Sequence, residues 1–239
     1  MRNKIIIIVV LIGIFLLLFV PIRIMDYSAS SSGSSHLSSQ YDSSVSYPAD
    51  LNDNDIDWAY WSSVNSDLVG WIYIPDTHVD YPIVQAQESD PEFYLTHDIY
   101  KNWNYCGCPY LDAADAPNGL NSLNCVIFGH NLGWNQLMFG DFEYYPDPSF
   151  AENHRTIYIY TPSDTKVLTV AAASIIDGSS NTKRTAFSNP LDLNKWFVVQ
   201  FNSANMSLDP TAPTTTNLFT FCTCSYGSNN ERTITYACK

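Results

Sequence analysis

Two runs near the end of the chain decide the fold: Leu218-Phe-Thr-Phe-Cys-Thr-Cys224 and Arg232-Thr-Ile-Thr-Tyr-Ala-Cys238. Both are rich in the aromatic and β-branched residues of strands, and a polar, turn-rich segment separates them. We therefore predict two strands joined as a hairpin. Because side chains alternate between the two faces of a strand, one face of the first run carries Leu218, Thr220, Cys222 and Cys224, and the other carries Phe219, Phe221 and Thr223. A thiol that ends one strand and a guanidinium that opens the next meet at one rim of a sheet.

Short alternating segments continue through the rest of the folded part. They predict further strands at 71–74, 79–85, 124–129, 156–161 and 166–176. Helical spacing of apolar residues predicts only two helices, at 52–64 and 190–202. Many short strands, few helices and no regular alternation of strand with helix favour an all-β barrel or sandwich with helical additions.

The first fifty residues differ in composition from the rest. Residues 5–22 are an almost unbroken apolar run preceded by Arg2 and Lys4, and at about 1.5 Å per residue they nearly cross a hydrocarbon core of about 30 Å. A cleaved signal peptide is the alternative, but no Ala-x-Ala-like site follows Val20. We expect a cytoplasmic tail at 1–4, a transmembrane signal anchor at 5–22, a serine-rich flexible linker at 23–50 and one folded, extracellular domain at 51–239.

Charge and cysteine content narrow the range of functions. The formal net charge of the 239-residue chain is −13, and a surface this acidic lacks the basic stripe that nucleic-acid binding requires. No nucleic-acid partner is therefore expected. The six cysteines are compatible with one or two disulfides or with buried free thiols. No cysteine spacing matches a zinc site, and we expect neither a metal nor another cofactor.

Three residues form the candidate catalytic set. Cys224 is partly accessible at a strand end, His130 directly follows the apolar run 125–129, and Arg232 is the arginine one hairpin away from the thiol. A cation beside a cysteine lowers the thiol pKa, and a guanidinium can donate hydrogen bonds to a developing oxyanion. If a histidine joins them, the three make a cysteine acyl-transfer site. In the plainer interpretation, the thiol is a packed core group, the histidine is structural and Arg232 pairs with Glu231.

The same residues resemble a known family. Thr220-Phe-Cys-Thr-Cys224 is similar to the Thr-Leu-x-Thr-Cys signature of sortases, the membrane-anchored cysteine transpeptidases of Gram-positive bacteria, with phenylalanine in place of leucine. Val126-Ile-Phe-Gly-His-Asn131 resembles the sortase histidine motif, and Arg232 falls where the sortase arginine opens the last strand. Two further stretches resemble class B sortases in particular: Val69-Gly-Trp-Ile-Tyr-Ile-Pro75 through Tyr81-Pro-Ile-Val-Gln85, and Met138-Phe-Gly-Asp141. The resemblance covers nearly all of residues 51–239.

The resemblance implies an eight-stranded β-barrel with an N-terminal helix and a helix between the sixth and seventh strands. It also implies that Cys224 attacks a threonine carbonyl in the C-terminal sorting signal of a surface protein, that His130 protonates the leaving amine, and that Arg232 holds the substrate and its oxyanion. The thioester then passes to an amine of a cell-wall precursor. Thr223 and Ser225, on either side of the nucleophile, are the candidate substrate-binding residues.

Other functions stay open at the level of sequence. A pilus-polymerising sortase would use a pilin lysine as the amine, a cysteine hydrolase usually places its cysteine before its histidine, and an L,D-transpeptidase places a histidine close before the cysteine. A non-catalytic anchored binding module would make the three residues coincidental. Two departures from the class B pattern stand out: Ser225-Tyr226 replaces an often acidic position, and Cys222 lies near enough to Cys224 for a redox pair to be considered.

Overall fold

A computed structural model describes residues 56–133, 136–180 and 183–239. The predicted cytoplasmic tail, membrane anchor and serine-rich linker lie outside the described residues. Within the described part, no helix combines the length and the apolar character needed to cross a bilayer. The architecture below therefore concerns the predicted folded domain.

Eight strands close into a barrel. Their hydrogen-bonded order is β5-β1-β2-β3-β4-β8-β9-β6, and pairing of β5 with β6 closes the ring. A ninth strand, β7, pairs with β6 outside the ring. The strands are β1 (Leu68–Tyr73), β2 (Asp80–Gln85), β3 (Tyr110–Leu111), β4 (Asn124–Phe128), β5 (Thr156–Tyr160), β6 (Thr165–Asp177), β7 (Met206–Ser207), β8 (Leu218–Cys224) and β9 (Glu231–Cys238). The closed ring confirms the predicted eight-stranded barrel and excludes the sandwich.

Two parallel pairings make the barrel mixed and position the site. β2 pairs in parallel with β3, and β4 pairs in parallel with β8, whereas the other pairings are antiparallel. The long connection from β2 to β3 includes a 3-10 helix at Phe93–Leu95. Because β4 and β8 run in the same direction, the loops that follow them lie at the same end of the barrel.

Three α-helices accompany the barrel: α1 (Trp58–Val64), α2 (Pro148–Asn153) and α3 (Pro190–Asn202). α3 lies between the sixth and seventh strands of the ring, as predicted, and Asn189 caps it by accepting from the backbone N–H of Asp192. α1 corresponds to the predicted lead-in helix but begins at Trp58, after its cap Asp57. α2 was not predicted, because six residues are too few to show a helical period.

The two faces of β8 belong to different hydrophobic clusters. Phe219 and Phe221 lie in the cluster that fills the barrel. Leu218 and Cys222 lie in a second cluster with Phe197 of α3. The predicted alternation is therefore correct, and the face that carries the two cysteines is the outer face of the barrel.

All six cysteines lie in the described residues, none of them is in a disulfide, and five are buried. Burial raises the pKa of Cys222 to about 11 and the pKa values of Cys125 and Cys238 to about 12. Cys224 is the one half-exposed cysteine of the six. The structure thus resolves the choice between disulfides and buried thiols in favour of thiols that pack as small hydrophobes.

Candidate active site

The three predicted catalytic residues lie at neighbouring strand ends on the outer face of the barrel. The parallel register of β4 and β8 pairs Phe128 with Cys222, so His130 comes beside Cys224 two residues later. The antiparallel register of β8 and β9 pairs Cys224 directly with Arg232. Strand pairing therefore brings a thiol, an imidazole and a guanidinium together. Their catalytic roles stay a prediction.

A cavity of about 450 Å³ has all three side chains in its wall. This volume is in the range of ligand-binding clefts. Further lining comes from the connection after β2, from β3, β4 and β8, and from the segment before α3, including Leu95, Tyr110, Phe128, Lys183, Cys222 and Thr223. A peptide can therefore approach the thiol from outside the barrel.

His130 is held by the connection that follows β2. Its Nε2 lies 2.8 Å from the backbone oxygen of Leu95. A carbonyl oxygen can only accept a hydrogen bond, so Nε2 carries a proton. Nδ1 is then the ring nitrogen that is left to accept or release a second proton. The contact with Leu95 thus fixes one nitrogen of the half-buried imidazole and leaves Nδ1 for proton exchange.

Asn131 connects the histidine loop to the cysteine strand. Its buried amide nitrogen donates to the backbone oxygen of Cys224 at 3.0 Å and to Glu143 Oε2 at 2.7 Å. Both amide hydrogens are therefore used. Tyr226 adds a third link by donating its hydroxyl hydrogen to the backbone oxygen of Asn131. Asn131 belongs to the histidine motif, but its links to Glu143 and Cys224 leave no local signal in the sequence, because these partners are 12 and 93 positions away.

Thr223 and Ser225, the predicted substrate-binding residues, have different positions. The Thr223 hydroxyl donates to the backbone oxygen of Gly129 at 2.8 Å, which joins β8 to β4, and Thr223 lines the cavity. Ser225 is buried, its backbone N–H donates to the oxygen of Glu231 at 3.1 Å, and it is outside the described cavity lining. Substrate binding stays a prediction for both residues, and the cavity favours Thr223.

Arg232 is not paired with the carboxylate of its neighbour Glu231. Its Nη1 donates instead to the Glu231 backbone oxygen at 2.8 Å. The Glu231 carboxylate accepts from the Ser228 hydroxyl at 2.9 Å, and the nearby hydroxyls of Ser225 and Ser228 hold the pKa of that carboxyl below its usual value. Among the described residues, the Arg232 guanidinium forms no ion pair. Its remaining donors are free to meet a substrate oxygen.

Cys222 has a packing role that the sequence left unexplained. It is 5% exposed and shares a hydrophobic cluster with Phe197 of α3 and Tyr236 of β9. Its thiol and that of Cys224 are both free. Cys222 therefore closes the cavity floor on its apolar side.

Sequence reasoning also missed the aromatic floor of the cavity and the cation above it. Tyr110 pairs with Phe128 across β3 and β4, and the two rings stack with centroids 5.2 Å apart. The Nζ of Lys183 lies 5.1 Å from the centroid of the Phe128 ring. Residues 177–187 are mostly polar and show no local pattern that would place Lys183 at the cavity. A two-residue β3 has too short a pattern to be recognised.

A mixed eight-stranded barrel that carries cysteine, histidine and arginine side by side on its outer rim has the fold and the site of a cysteine transpeptidase. The family described as the Sortase domain matches residues 72–239. This match covers more than half of the chain, and the protein belongs to the sortase family.

Sortase B proteins are among its relatives. The chain is 27% identical to sortase B of Staphylococcus aureus (strain NCTC 8325 / PS 47) over 176 residues, which are 73% of this chain and 70% of that protein. It is 36% identical to sortase B of Listeria monocytogenes serovar 1/2a (strain ATCC BAA-679 / EGD-e) over 93 residues, 39% of this chain and 36% of that protein.

Solved structures agree with this assignment. The S. aureus sortase B–substrate complex superposes with a TM-score of 0.66 at 25% identity, over 75% of this chain and 82% of that one. Sortase B from B. anthracis shares the fold, with a TM-score of 0.70 at 21% identity over 90% of this chain and 98% of that one. The protein is therefore a sortase B-like cysteine transpeptidase.

Proposed function

We propose that this transpeptidase cleaves the C-terminal sorting signal of surface proteins after a threonine and transfers the acyl group to an amine of a cell-wall precursor. The observation that carries the proposal is the presence of Cys224, His130 and Arg232 in the wall of one cavity on adjacent strand ends. The proposed site of action is the outer surface of the cell membrane, with the predicted anchor at 5–22 and linker at 23–50 holding the domain there.

In the first step, the Cys224 thiolate, whose proton is on His130, attacks the threonine carbonyl carbon with Sγ. The carbon–sulfur bond forms, the peptide carbon–nitrogen bond breaks, and His130 Nδ1 delivers its proton to the leaving amine. Arg232 donates hydrogen bonds to the negative charge that develops on the carbonyl oxygen. The contact between Nε2 and the Leu95 carbonyl keeps the ring in place during this step.

In the second step, an amine attacks the thioester carbon. The carbon–nitrogen bond forms, the thiolate of Cys224 leaves, and His130 takes up the proton that the amine loses. One solved sortase B structure is a complex with triglycine, a peptide with a free amine, and another is a substrate complex of the S. aureus enzyme. These complexes support an amine as the acceptor and a sorting signal as the donor.

The acceptor distinguishes this function from its alternatives. A pilus-polymerising enzyme would accept a lysine of a pilin, and a hydrolase would accept water. In both cases the first step at Cys224 is the same. The proposal therefore concerns the second substrate as much as the first.

The test uses the full-length chain in detergent with a library of quenched peptides that share a central threonine and vary elsewhere. Triglycine serves as the amine, and mass spectrometry separates ligated from hydrolysed product. Wild-type protein is expected to form the ligated product after threonine, and Cys224→Ala is expected to form none. Cys238→Ala, which removes a buried thiol at the far end of β9, is the control that keeps activity. Full activity of Cys224→Ala, or hydrolysis alone at saturating triglycine, would refute the proposal.

A further inference from the structure

Five exposed aromatic side chains form a band on the surface beside the catalytic cavity. They are 44–64% exposed and lie outside the described cavity lining. The band comprises Tyr60, Tyr100, Trp103, Tyr105 and Tyr226. The exposed aliphatic side chains of the described residues lie elsewhere, on β6 and α3. Exposed apolar groups gathered on one surface mark an interaction site, whereas single ones are ordinary.

One end of the aromatic band lies on α1. Tyr60 of α1 and Tyr100 of the connection after β2 both pack on the buried Trp61, with ring centroids 5.0 Å and 6.2 Å from it. Trp103 belongs to the same connection as Tyr100 and is the most exposed ring of the band, at 64%. The band therefore begins at the first helix of the described structure and continues along one loop.

The other end of the band lies at the catalytic residues. Partial burial and the neighbouring Cys224 and Tyr105 raise the pKa of the Tyr226 hydroxyl, which shows that the three groups are close. Tyr226 also donates its hydroxyl hydrogen to the backbone oxygen of Asn131, whose amide is bonded to the Cys224 carbonyl. The band is thus attached to the rim of the active site without lining the cavity.

The loop that carries the central rings keeps its polar groups in internal contacts. Asp98 Oδ1 accepts from two backbone N–H groups further along the loop, at 2.9 Å and 3.1 Å, and Asn104 Oδ1 accepts from the N–H of Cys106 at 2.9 Å. The Lys101 ammonium pairs with Asp67 at 2.9 Å. These contacts hold the rings in place and leave them as the outward groups. This favours an apolar, interfacial partner over a sugar, whose hydroxyls need free donors and acceptors.

The position of the band in the chain indicates which surface it meets. The described structure begins at Ile56, four residues before Tyr60. The predicted linker at 23–50 and anchor at 5–22 precede that point. A serine-rich linker of this length spans about 30 Å as a random coil. Such a tether gives an effective concentration on the order of millimolar, so even weak affinity for the bilayer is sufficient.

We propose that the aromatic band rests in the headgroup region of the membrane that holds the anchor and keeps the active site close to the bilayer. Tryptophan and tyrosine suit this region, because their rings are apolar and their N–H and O–H groups stay hydrated. The contact is apolar and not electrostatic, since the chain has a net charge of −13 and Lys101 is paired within the protein. This inference rests on the membrane location that the proposed function includes.

Photo-crosslinking to lipid tests the inference without any enzymatic readout. Full-length protein is reconstituted into phosphatidylcholine vesicles with a small fraction of a phosphatidylcholine that carries a diazirine close to its glycerol. Mass spectrometry then maps the lipid adducts, and adducts on 5–22 report the anchor in the same sample. We expect adducts on 100–105 and at Tyr226 with about five times the yield found on α3. The yield should not change with added salt, since the contact is apolar.

The α3 surface is a matched control for accessibility. Leu191 and Val199 are 64% and 61% exposed, the same values as Trp103 and Tyr105. Trp103→Ser combined with Tyr105→Ser should lower the adduct yield at Tyr226 by a factor of about three, because the rings that hold the band at the bilayer are lost. Leu191→Ser combined with Val199→Ser should leave it unchanged. Urea denaturation checks that both variants are folded.

The outcomes separate the inference from the proposed location. Adducts on 5–22 with equal yields on the band and on α3 would overturn the inference and leave the anchor standing. Adducts that disappear at high salt would also overturn it, because the contact would then be electrostatic. Protection of Trp103 from oxidation by soluble wall glycan, without lipid adducts on the band, would assign the band to glycan instead. An absence of adducts on 5–22 would refute the membrane location and the inference with it.

Discussion

Cys222 and Cys224 lie two residues apart on the same face of β8, yet their surroundings differ. Cys222 packs in the cluster beneath α3, and burial raises its pKa to about 11. Cys224 is half-buried in the cavity wall, and strand pairing places it opposite Arg232 and beside His130. Between Cys222 and Cys224 the surroundings of the thiol therefore change from apolar packing to an open, polar cavity wall. Strand register, and not residue type, decides which thiol can act as a nucleophile.

The largest expected effect comes from removing the imidazole that Cys224 has beside it and Cys222 lacks. His130→Ala should lower kcat by about 10²–10⁴-fold, the usual range for a general acid. Steady-state transpeptidation with triglycine measures it. His154→Gln is the matched control, since His154 lies at the end of α2 and its Nδ1 is hydrogen-bonded to the backbone oxygen of Phe150. A loss of less than tenfold in His130→Ala would contradict the assigned role.

Truncating Phe197 tests whether packing beneath α3 is what keeps Cys222 buried and unreactive. Phe197→Ala opens a cavity in the cluster beneath α3 and should lower the free energy of unfolding by about 3–5 kcal/mol. Urea denaturation measures this, and alkylation should show a more reactive Cys222 with Cys224 unchanged. The control is Val199→Ala on the exposed side of α3, where the side chain is 61% accessible. Unchanged protection of Cys222 in Phe197→Ala would show that another part of the protein covers it.

The guanidinium can be changed while its charge is kept. Arg232→Lys should lower kcat/KM by about 10²–10³-fold, because an ammonium does not reproduce the planar set of donors offered to an oxyanion. Peptide cleavage kinetics check this. Activity close to wild type would mean that Arg232 contributes only charge. Glu231→Gln serves as the control, since the Arg232 contact is to the Glu231 backbone.

A smaller effect is expected from the residue that fixes the end of β8. Asn131→Ala removes two hydrogen bonds, to the Cys224 carbonyl and to Glu143, each worth about 0.5–1.5 kcal/mol. We expect kcat to fall about tenfold with little change in KM. Glu143→Gln keeps an acceptor for Asn131 and should be nearly neutral. An unchanged kcat in Asn131→Ala would show that the histidine loop and the cysteine strand hold their positions without this link.

Local sequence patterns predicted most of the architecture. α3 begins and ends at the predicted residues, because Asn189 and Pro190 mark its start. β8 and β9 agree with their predicted limits to within one residue. Alternation along β8 also separated the barrel-filling side chains from those on the outer face. These features depend on residues that are neighbours in sequence.

Long-range contacts could not be predicted in the same way. His130 forms a hydrogen bond with the backbone oxygen of Leu95, which is 35 positions away. No local sequence pattern predicts such a bond. The two-residue β3 and the six-residue α2 are too short to show a period. Lys183 is held at the cavity by its neighbour Arg184. The backbone oxygen of Arg184 accepts a hydrogen bond from Asn124, and its guanidinium pairs with Asp192. The stacked rings of Tyr110 and Phe128, and Lys183 above them, can therefore be recognised only in the folded structure.

The most direct test of the central claim locates the thioester. Full-length protein is incubated with a cleavable threonine peptide without an amine, quenched in acid, digested and mapped by mass spectrometry. The account predicts that the acyl group is found on Cys224 and that Cys222 stays unmodified in the same digest. An acyl group on Cys222, or cleavage of the peptide with no acyl group on Cys224, would contradict it.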